Sequence, residues 1–414
     1  LVFGGASHAL ETEQTTDRGS AIYQVRFAES GVLFSPDSGE LAGLLQSRDE
    51  ILPQYLDQLN DLAKKFIFEY NKVHASGMGL ERYTTLTSGM AVHPASRGTI
   101  PLQVAGTASA QANRSTLVAS SLAGDGQNVY VGLTVEVTSG ANAGERRRVT
   151  GFDDPTGALV FDQPFPENFT AGDSFLITSL DYPMEHGSFE LKVVNENTDV
   201  VDTFNIAVDL DGLNNNDSTL QSVVSDINTQ LAAHYGAGNP LVARVTNDNR
   251  LEIVSQQSGY TFGFGQDTSH FLAAMGVNTL FTGSDAGSMD LSATIKDNPN
   301  LVATGTSLST GDNSNLQSLL ALRSQLLMEN GTATLDDYYQ GMVGSLGEMT
   351  ASAADQRTNQ EMVMGSLTNQ RNSISGVNVD EEVINMIAYQ RAFQGVARYI
   401  GIVDQLLETL ISSI

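Results

Sequence analysis

The clearest pattern in the sequence is an apolar residue at every third or fourth position of its last segment. From Met386 to Ile414 the two spacings alternate without a polar intrusion. This repeat is typical of a helix that packs one apolar side against other helices. We therefore predict a C-terminal amphipathic helix over residues 376–414, whose apolar stripe packs against a partner. The stripe consists of Met386, Tyr389, Phe393, Val396, Ile400, Val403, Leu407, Leu410 and Ile414.

An early segment carries a similar spacing. Its apolar residues follow one alternating series over residues 37–76, which predicts a long helix or a helix pair. Pro53 disfavours an uninterrupted helix, and Ser47 and Glu50 are spaced as a capping box, so we predict a kink or a restart near residues 47–53. The series consists of Leu41, Leu45, Leu52, Tyr55, Leu59, Leu62, Phe66 and Val73.

The helical spacing returns over residues 306–375, where we predict further long helices. Glutamines occupy several seam positions of this heptad series, and polar seam residues favour one register over maximal stability. The apolar members are Leu335, Tyr339, Met342, Leu346, Met349, Ala353, Val363, Leu367 and Ile374, and the glutamines are Gln356, Gln360 and Gln370.

Between these helices the chain is rich in short alternating runs and turn residues, which predict strands. Residues 1–36 are expected to form a small β element and residues 77–104 a connection. Residues 105–182 predict an inserted small β-barrel or sandwich. Residues 183–305 predict a second inserted domain of α+β type, with one amphipathic helix near residues 219–235.

These elements predict an α+β protein. Its long coiled-coil-like helical rod would carry β-rich domains inserted between the early and late helices. A lone amphipathic helix cannot bury its apolar side by itself. The stripe in residues 376–414 therefore needs a partner. Another helix of the chain, a neighbouring subunit and a chaperone all satisfy the pattern.

The composition narrows the classes of partner. The 414 residues include 48 acidic and 21 basic ones, a net charge of −27 that repels nucleic acids and anionic membranes. Cysteine is absent, which excludes disulfides and thiolate chemistry. No apolar run approaches the roughly 20 residues that span a bilayer. We therefore expect neither nucleic acid nor membrane as a partner.

The sequence offers little that indicates catalysis or metal binding. No two of its histidines are spaced as metal ligands, and we predict that they lie on the surface or in loops. Residues 209–217 resemble a calcium loop, but the glycine comes two positions early and no glutamate closes the loop, which favours a polar turn. The histidines are His8, His74, His93, His186, His234 and His270.

Two further motifs have structural interpretations. Residues 262–265 lack the Lys-Ser/Thr of a phosphate loop and predict a β-turn. The basic cluster at residues 146–148 is expected to pair with nearby carboxylates. We therefore predict that the chain is not an enzyme and has no cofactor and no metal.

The C-terminal segment resembles a known family. The stretch SGVNVDEEVINMIAYQRAFQGVARYIGIVDQLLETLI is similar to the C-terminal motif shared by flagellar hook, rod and hook-associated proteins. The residues that match the motif are Asn378, Asp380, Glu381, Glu382, Tyr389, Gln390, Ala392 and Thr409.

Two other stretches resemble the hook-associated protein 1 family in particular. They are SGELAGLLQSRDEILPQYLDQLNDLAKKFIFEYNKVHASGMGL at residues 38–80 and FLAAMGVNTLFTGSDAGSMDLSATIKDNPNLVATG at residues 271–305. The resemblance covers residues 38–80 and roughly 183–414, and residues 105–182 lie outside it. Family members also carry an N-terminal helical portion that pairs with the C-terminal one. We expect this portion to be missing here, so residues 376–414 would fray or pack against another copy.

The resemblance implies a structural subunit that joins hook to filament. It implies export from the cytoplasm by the flagellar type III pathway and a place outside the cell at the hook-filament junction. The implied partners are copies of the chain in a ring, hook protein, the next hook-associated protein and an export chaperone at the C-terminal region. A flagellar hook or distal rod protein is the alternative within the family. The β domains are also compatible with a different class, a secreted adhesin or glycan-binding module. Scattered carboxylates leave a glycosidase as a third hypothesis.

Overall fold

A computed structural model describes residues 2–3, 6–17, 20–36, 38–92, 103–109, 113–211, 213, 216–309, 311–375 and 379–413. The chain divides into two compact units, Leu1–Tyr339 and Gln340–Ile414. Helices and antiparallel sheets are both present and a long helix ends the chain, so the predicted α+β class is confirmed. The coiled-coil rod stays a prediction.

The chain begins with short antiparallel pairs. The strands are β1 (Val2–Phe3), β2 (Ala6–Ser7), β3 (Leu10–Asp17) and β4 (Ser20–Phe27). Strand β1 pairs with β2, and the longer β3 pairs with β4 along its whole length. Residues 1–36, for which we predicted a small β element, therefore hold two hairpin-like pairs.

The early helical segment consists of α1 (Glu40–Gln46), a π-helical turn (Ser47–Ile51) and α2 (Leu52–Ala75). The predicted capping box is wrong, because Ser47 is itself in a helical conformation, with φ −61° and ψ −43°, and a cap needs extended geometry. The wider π turn accommodates Pro53, whose ring would clash with a carbonyl four residues earlier in a regular α-helix.

Helix α2 buries only its C-terminal half. Ile67, Phe68 and Ala75 are buried in the larger hydrophobic core, whereas Leu52 and Leu56 are exposed. The chain then forms β5 (Thr85–Thr87). The second half of α2 is therefore what ties the helix to the domain that follows.

Residues 103–178 form a domain with its own core. Its strands are β6 (Gln103–Thr107), β7 (Thr116–Val118), β8 (Thr134–Val137), β9 (Arg146–Asp153), β10 (Ala158–Phe161) and β11 (Ser174–Thr178). They make one six-stranded sheet in the order β6-β11-β8-β9-β10-β7. The first and last strands pair, with Gln103 opposite Thr178. Phe161, Phe165 and Phe169 are buried in a core separate from that of the rest of the chain.

The second β-rich region contains two three-stranded sheets. Its elements are β12 (Gly187–Asn195), β13 (Val200–Val208), α3 (Leu220–Tyr235), β14 (Leu241–Val245), β15 (Leu251–Ser255), β16 (Tyr260–Asp267) and α4 (Phe271–Met275). The sheets have the orders β13-β12-β16 and β14-β15-β5. Two backbone hydrogen bonds between Tyr83 and Phe262, of 2.9 and 2.8 Å, join them side by side.

The turn predicted at residues 262–265 is wrong, because these residues lie inside β16 and are buried. Gly263 allows the side chain of Met78 to approach the strand closely, because a Cβ at this position would lie 3.0 Å from Cγ of Met78. The alternation of Phe262 and Phe264 with glycine therefore marks a strand that Met78 approaches closely.

Helix α3 seals both outer edges of the joined sheets. Asn228 donates to the carbonyl of Ala243 in β14 at 2.8 Å and accepts its N–H at 2.9 Å. On β13, Asp226 accepts the N–H of Ala207 and Gln230 donates to the carbonyl of Asn205. Unpaired backbone groups on an edge strand invite another strand to pair, and these side chains occupy them.

The remaining elements lead to the C-terminal helices. They are β17 (Phe281–Thr282), β18 (Asp290–Leu291), α5 (Ala293–Asp297), α6 (Ser314–Ala321), α7 (Leu335–Ser375) and α8 (Val379–Ser412). Helix α7 starts with a reciprocal cap in which Asp337 accepts from the backbone of Thr334, and Thr334 accepts from the backbone of Asp337. Asp336 and Asp337 in its first turn also suit the helix dipole.

We predict that Asn228→Ala lowers the free energy of unfolding by about 1–3 kcal/mol, because it leaves the N–H and carbonyl of Ala243 without their partner. Urea denaturation of the two proteins measures the loss. Thr229→Ala, at an exposed position of the same helix, is the control and should change stability by less than about 0.5 kcal/mol. Equal effects of the two substitutions would contradict the sealing role.

Candidate functional site

The candidate site is the face of α8, a helix of 34 residues. Its first turn carries Asp380, Glu381 and Glu382, whose negative charge suits the positive end of the helix dipole. Alternating apolar and polar residues at helical spacing then continue to the end of the element. The local sequence therefore defines which side of the helix is apolar.

The structure places the predicted stripe on this helix and exposes it. Every residue described between 379 and 413 is exposed, including Tyr389 at 78% and Phe393 at 75%. The stripe residues Met386, Val396, Ile400, Val403, Leu407 and Leu410 are exposed as well, and Ile414 lies outside the described residues. Contiguous exposed apolar surface of this kind marks an interaction site.

A second apolar row borders the stripe. Tyr399, Ile402 and Leu406 are exposed and precede the stripe members Ile400, Val403 and Leu407 by one position each. The two rows together make a face wider than the seam between two helices. Such a face is suited to cover by more than one neighbouring helix. This row falls outside the two seam positions of a heptad repeat. On a straight helix with 3.6 residues per turn, it lies next to the stripe.

The residues that match the family motif are distributed differently. Gln390, Ala392 and Thr409 lie on α8 and are exposed, and the Thr409 hydroxyl donates to the carbonyl of Gln405 at 2.7 Å. Asn378 lies outside the described residues. The predicted roles of these residues in assembly therefore stay predictions.

Helix α7 repeats the pattern in a weaker form. Its apolar residues Leu346, Met349, Val363 and Leu367 are exposed, and Gln356, Gln360 and Gln370 interrupt their seam. Because the seam is partly polar, it offers less burial free energy per turn than α8. We therefore rank α8 above α7 as a candidate interface.

The C-terminal end of α2 is fixed by a buried polar network. Asn278 donates to the carbonyls of Ala75 and Gly77, each at 3.0 Å, and accepts from the Tyr83 hydroxyl at 2.8 Å. Asn71 donates to the carbonyl of Phe281 at 2.9 Å. These bonds satisfy carbonyls that a helix end leaves free. The network holds α2 against the α+β domain.

His74 belongs to the same network, which corrects the prediction that the histidines lie on the surface or in loops. It sits on α2 with no exposed surface. Its Nδ1 lies 2.8 Å from the carbonyl of Asn278, and its Nε2 accepts the N–H of Ala303 at 3.0 Å. Burial lowers the pKa of His74 to about 4, although the hydrogen bond to Asn278 opposes the shift. The imidazole is therefore neutral, with its proton on Nδ1.

The other histidines are exposed in part. His186 and His234 have exposed side chains, and His8 and His270 are partly exposed. His93 lies outside the described residues. No feature of the sequence separates His74 from these, because its burial depends on contacts more than 200 positions away.

The predicted pairing of the basic cluster is confirmed for Arg146 and Arg147. Arg146 lies 2.6 Å from Glu136, and Arg147 lies 2.9 Å from Glu145. Arg147 also lies over the ring of Phe165, 5.0 Å from its centroid. The cluster is part of the local sheet structure.

The described residues of the polar segment after β13 lead into α3. Asn216 donates to Asp209 at 2.8 Å, and Thr219 and Ser222 form the capping box of α3. Gly212, Asn214 and Asn215 lie outside the described residues. Within the part of the chain that the structure describes, no helix meets the length and hydropathy of a membrane span.

Two parts of the chain match known families. Residues 1–86 match the family described as flagellar hook-associated protein FlgK helical domain. Residues 368–413, which include α8, match the family described as flagellar basal body rod FlgEFG protein C-terminal. The first match also covers the N-terminal strands β1–β4, which lie outside the resemblance at residues 38–80.

Several curated relatives are named flagellar hook-associated protein 1. The Escherichia coli protein is 26% identical over 212 residues, which cover 48% of this chain and 38% of that protein. The Bacillus subtilis protein is 33% identical over 102 residues, covering 24% of this chain and 20% of that protein. The Salmonella typhimurium protein is 33% identical over 101 residues, covering 24% and 18%. The aligned parts thus span well under half of each relative.

A solved structure, the flagellar hook junction protein FlgK from Burkholderia pseudomallei, aligns with 91% of this chain and 72% of its own at 15% identity. The TM-score of 0.33 is too low to establish a shared arrangement of domains.

The resemblance to hook-associated protein 1 that the sequence predicted is confirmed by the family and sequence matches. Proteins of this kind are structural components of the flagellum and not enzymes, and they assemble with other flagellar components. The matches thus support a structural role in the flagellum.

We predict that backbone amides of α8 exchange with solvent far faster than those of residues 67–75 in the isolated chain. Helix α8 has no buried residue, whereas opening the second half of α2 requires disruption of the larger core. Hydrogen exchange followed by mass spectrometry compares the two helices in one sample. Their protection should differ by at least about a thousandfold, since global unfolding costs about 5 kcal/mol or more. Equal protection would show that the chain itself covers the face.

We predict that His74 makes the protein less stable as the pH falls from about 6.5 to about 4. The unfolded state binds a proton in this range and the folded state does not, so stability is complete above the upper limit and levels off below the lower one. The loss amounts to up to about 3 kcal/mol.

His74→Gln isolates this contribution, because glutamine keeps an acceptor and does not titrate. Urea denaturation at several pH values measures the stability difference between the two proteins, which should shrink as the pH falls. A difference that stays constant would contradict the buried neutral histidine.

Proposed function

We propose that this chain is a structural subunit of the bacterial flagellum, a hook-associated protein that joins hook to filament and assembles through its terminal helix. The observation that carries the proposal is α8: a helix within the match to the rod-protein C-terminal family presents two adjacent exposed rows of apolar side chains. The charge of −27 and the stretches similar to hook-associated protein 1 are compatible with an exported flagellar component.

The apolar face of α8 defines the kind of partner. Burial of a Leu, Val or Phe side chain contributes about 1.5–3 kcal/mol, so a face with eight described stripe residues supplies ample driving force once it is covered. We propose that helices of neighbouring copies in a ring, and of hook protein and the next hook-associated protein, cover it after assembly. Before export, a chaperone at the C-terminal region would cover the same face.

An exposed α8 suits both export of the chain and its later assembly. A helix without tertiary cover is easily unfolded, which suits passage through the type III export channel. The entropy that α8 loses when it becomes ordered is then offset by burial of its apolar face against partner helices. The subunit would act outside the cell, at the hook-filament junction.

A hook or distal rod protein is the alternative, since the C-terminal family is shared. The match of residues 1–86 to the hook-associated helical domain favours the junction role.

We predict that Leu407→Glu abolishes attachment of filaments, whereas Gln405→Glu leaves it close to normal. Leu407 lies on the apolar stripe, and Gln405, two positions earlier, lies on the opposite, polar side of the same turn. Both variants introduce a glutamate, so a difference in filament attachment between them is not explained by net charge or helix propensity. A buried unpaired carboxylate costs several kcal/mol at each copy of the interface.

The experiment expresses each variant in cells that lack their own copy of the protein. Electron microscopy counts hooks that carry filaments, and swarming reports motility. Normal filament attachment with Leu407→Glu would contradict the proposal. Loss of secreted subunit from the medium would instead assign the defect to export.

A further inference from the structure

A cavity lies in the first unit where α2, β5, α4 and α5 come together. It measures about 370 Å³, which is within the size range of pockets that hold small molecules. One part of its wall is apolar and includes Leu86, Met90, Tyr182 and Phe281. Ala293, which also lines it, is exposed, so the cavity opens to solvent on the side of α5.

None of the described residues that line the cavity carries a charge. Its two tyrosines are neutral at pH 7, because burial raises the pKa of both Tyr83 and Tyr182 above its usual value. A charged ligand would lose its hydration in the cavity without gaining a partner of opposite charge. The wall therefore favours a neutral ligand, although the chain as a whole has a net charge of −27.

The asparagines and tyrosines of the wall already have hydrogen-bond partners. Asn278 accepts from the Tyr83 hydroxyl and belongs, with Asn71, to the network at the end of α2. The Tyr182 hydroxyl donates to the carbonyl of Gly283 at 2.8 Å. These four side chains shape the cavity and leave little capacity to bind a ligand.

Thr279 differs from the other polar residues of the wall. Only 5% of its surface is exposed, yet its hydroxyl has no hydrogen-bond partner among the residues that the structure describes. Polar side chains this deeply buried are nearly always paired. The hydroxyl oxygen is not fully enclosed, and Thr279 lines the cavity, so the hydroxyl opens into it. The cavity thus contains a polar group that lacks a partner.

We propose that this cavity binds a neutral aromatic small molecule that carries one uncharged hydrogen-bonding group, such as an amide. Its ring would lie against Tyr182 and Phe281, where burial of apolar surface supplies most of the binding free energy. Its polar group would bind the Thr279 hydroxyl. Because Asn278 also lines the cavity, the bound molecule would stabilise the contact between α2 and the α+β domain.

The test titrates the chain with 1-naphthaleneacetamide and follows the fluorescence of this probe. The chain contains no tryptophan, so the signal has no tryptophan background. Wild type should bind one molecule per chain. The carboxylate 1-naphthaleneacetate has nearly the same shape but a negative charge, and it should bind at least about tenfold more weakly.

Two variants locate the site. Thr279→Val keeps the shape of the side chain and removes the hydroxyl, so it should weaken binding of the amide about fivefold. Ala293→Phe places a ring at the open side of the cavity and should abolish binding. Thr85→Val is the matched control, because Thr85 is an exposed threonine of β5 that does not line the cavity, and it should bind as wild type does.

Melting temperatures without the probe show what the Thr279 hydroxyl does in the fold. Thr279→Val should melt no lower than wild type, because the hydroxyl has no hydrogen bond to lose. A lower melting temperature of Thr279→Val would overturn the proposal, and so would unchanged affinity of this variant or the absence of saturable binding to wild type. Equal affinity for the amide and the carboxylate would overturn the assignment of a neutral ligand.

Discussion

The hydrogen bonds of Asn278 to the end of α2 are the constraint on which the arrangement of the first unit depends. A helix ends with free carbonyls, and here the amide of one distant side chain binds those of Ala75 and Gly77 in the interior. His74 and Asn71 extend the same contact to residues 303 and 281. Because all these groups are buried or nearly so, each lost bond leaves a polar atom without water or partner. The helix and the α+β domain consequently hold one relative position.

Helices α2 and α8 differ in how they are stabilised. The second half of α2 packs into a core that includes Phe189, Phe262 and Phe271. Helix α8 exposes every described residue and relies on local propensity and its acidic first turn. Local propensity rarely stabilises a helix in water without tertiary contacts. The contrast separates a part that is folded by its own core from a part whose order depends on what surrounds it.

Periodicity predicted the elements whose apolar spacing is regular along their own sequence. The helix around residues 219–235 was found as α3, and the terminal stripe lies on α8 as expected. Two of the failures concern residues whose state is set by distant contacts, and a third has a local cause. Residues 262–265 look like a turn because glycine is common in turns, yet Met78 packs against Gly263 inside a strand. In the sequence His74 looks like any polar residue of a helix. Only the fold places Asn278 and Ala303 in contact with it. The capping box at Ser47 failed because the π turn continues the helix through it.

The domain of residues 103–178 has a consequence of a different kind. Its core is separate, and its first and last strands lie side by side with Gln103 opposite Thr178. A segment whose entry and exit are neighbours leaves only a narrow gap in the host when it is removed. Lineages can thus gain, lose or exchange such a cassette without rebuilding the core around it. Changes inside the domain of residues 103–178 leave the larger core untouched, because the two cores share no buried residue.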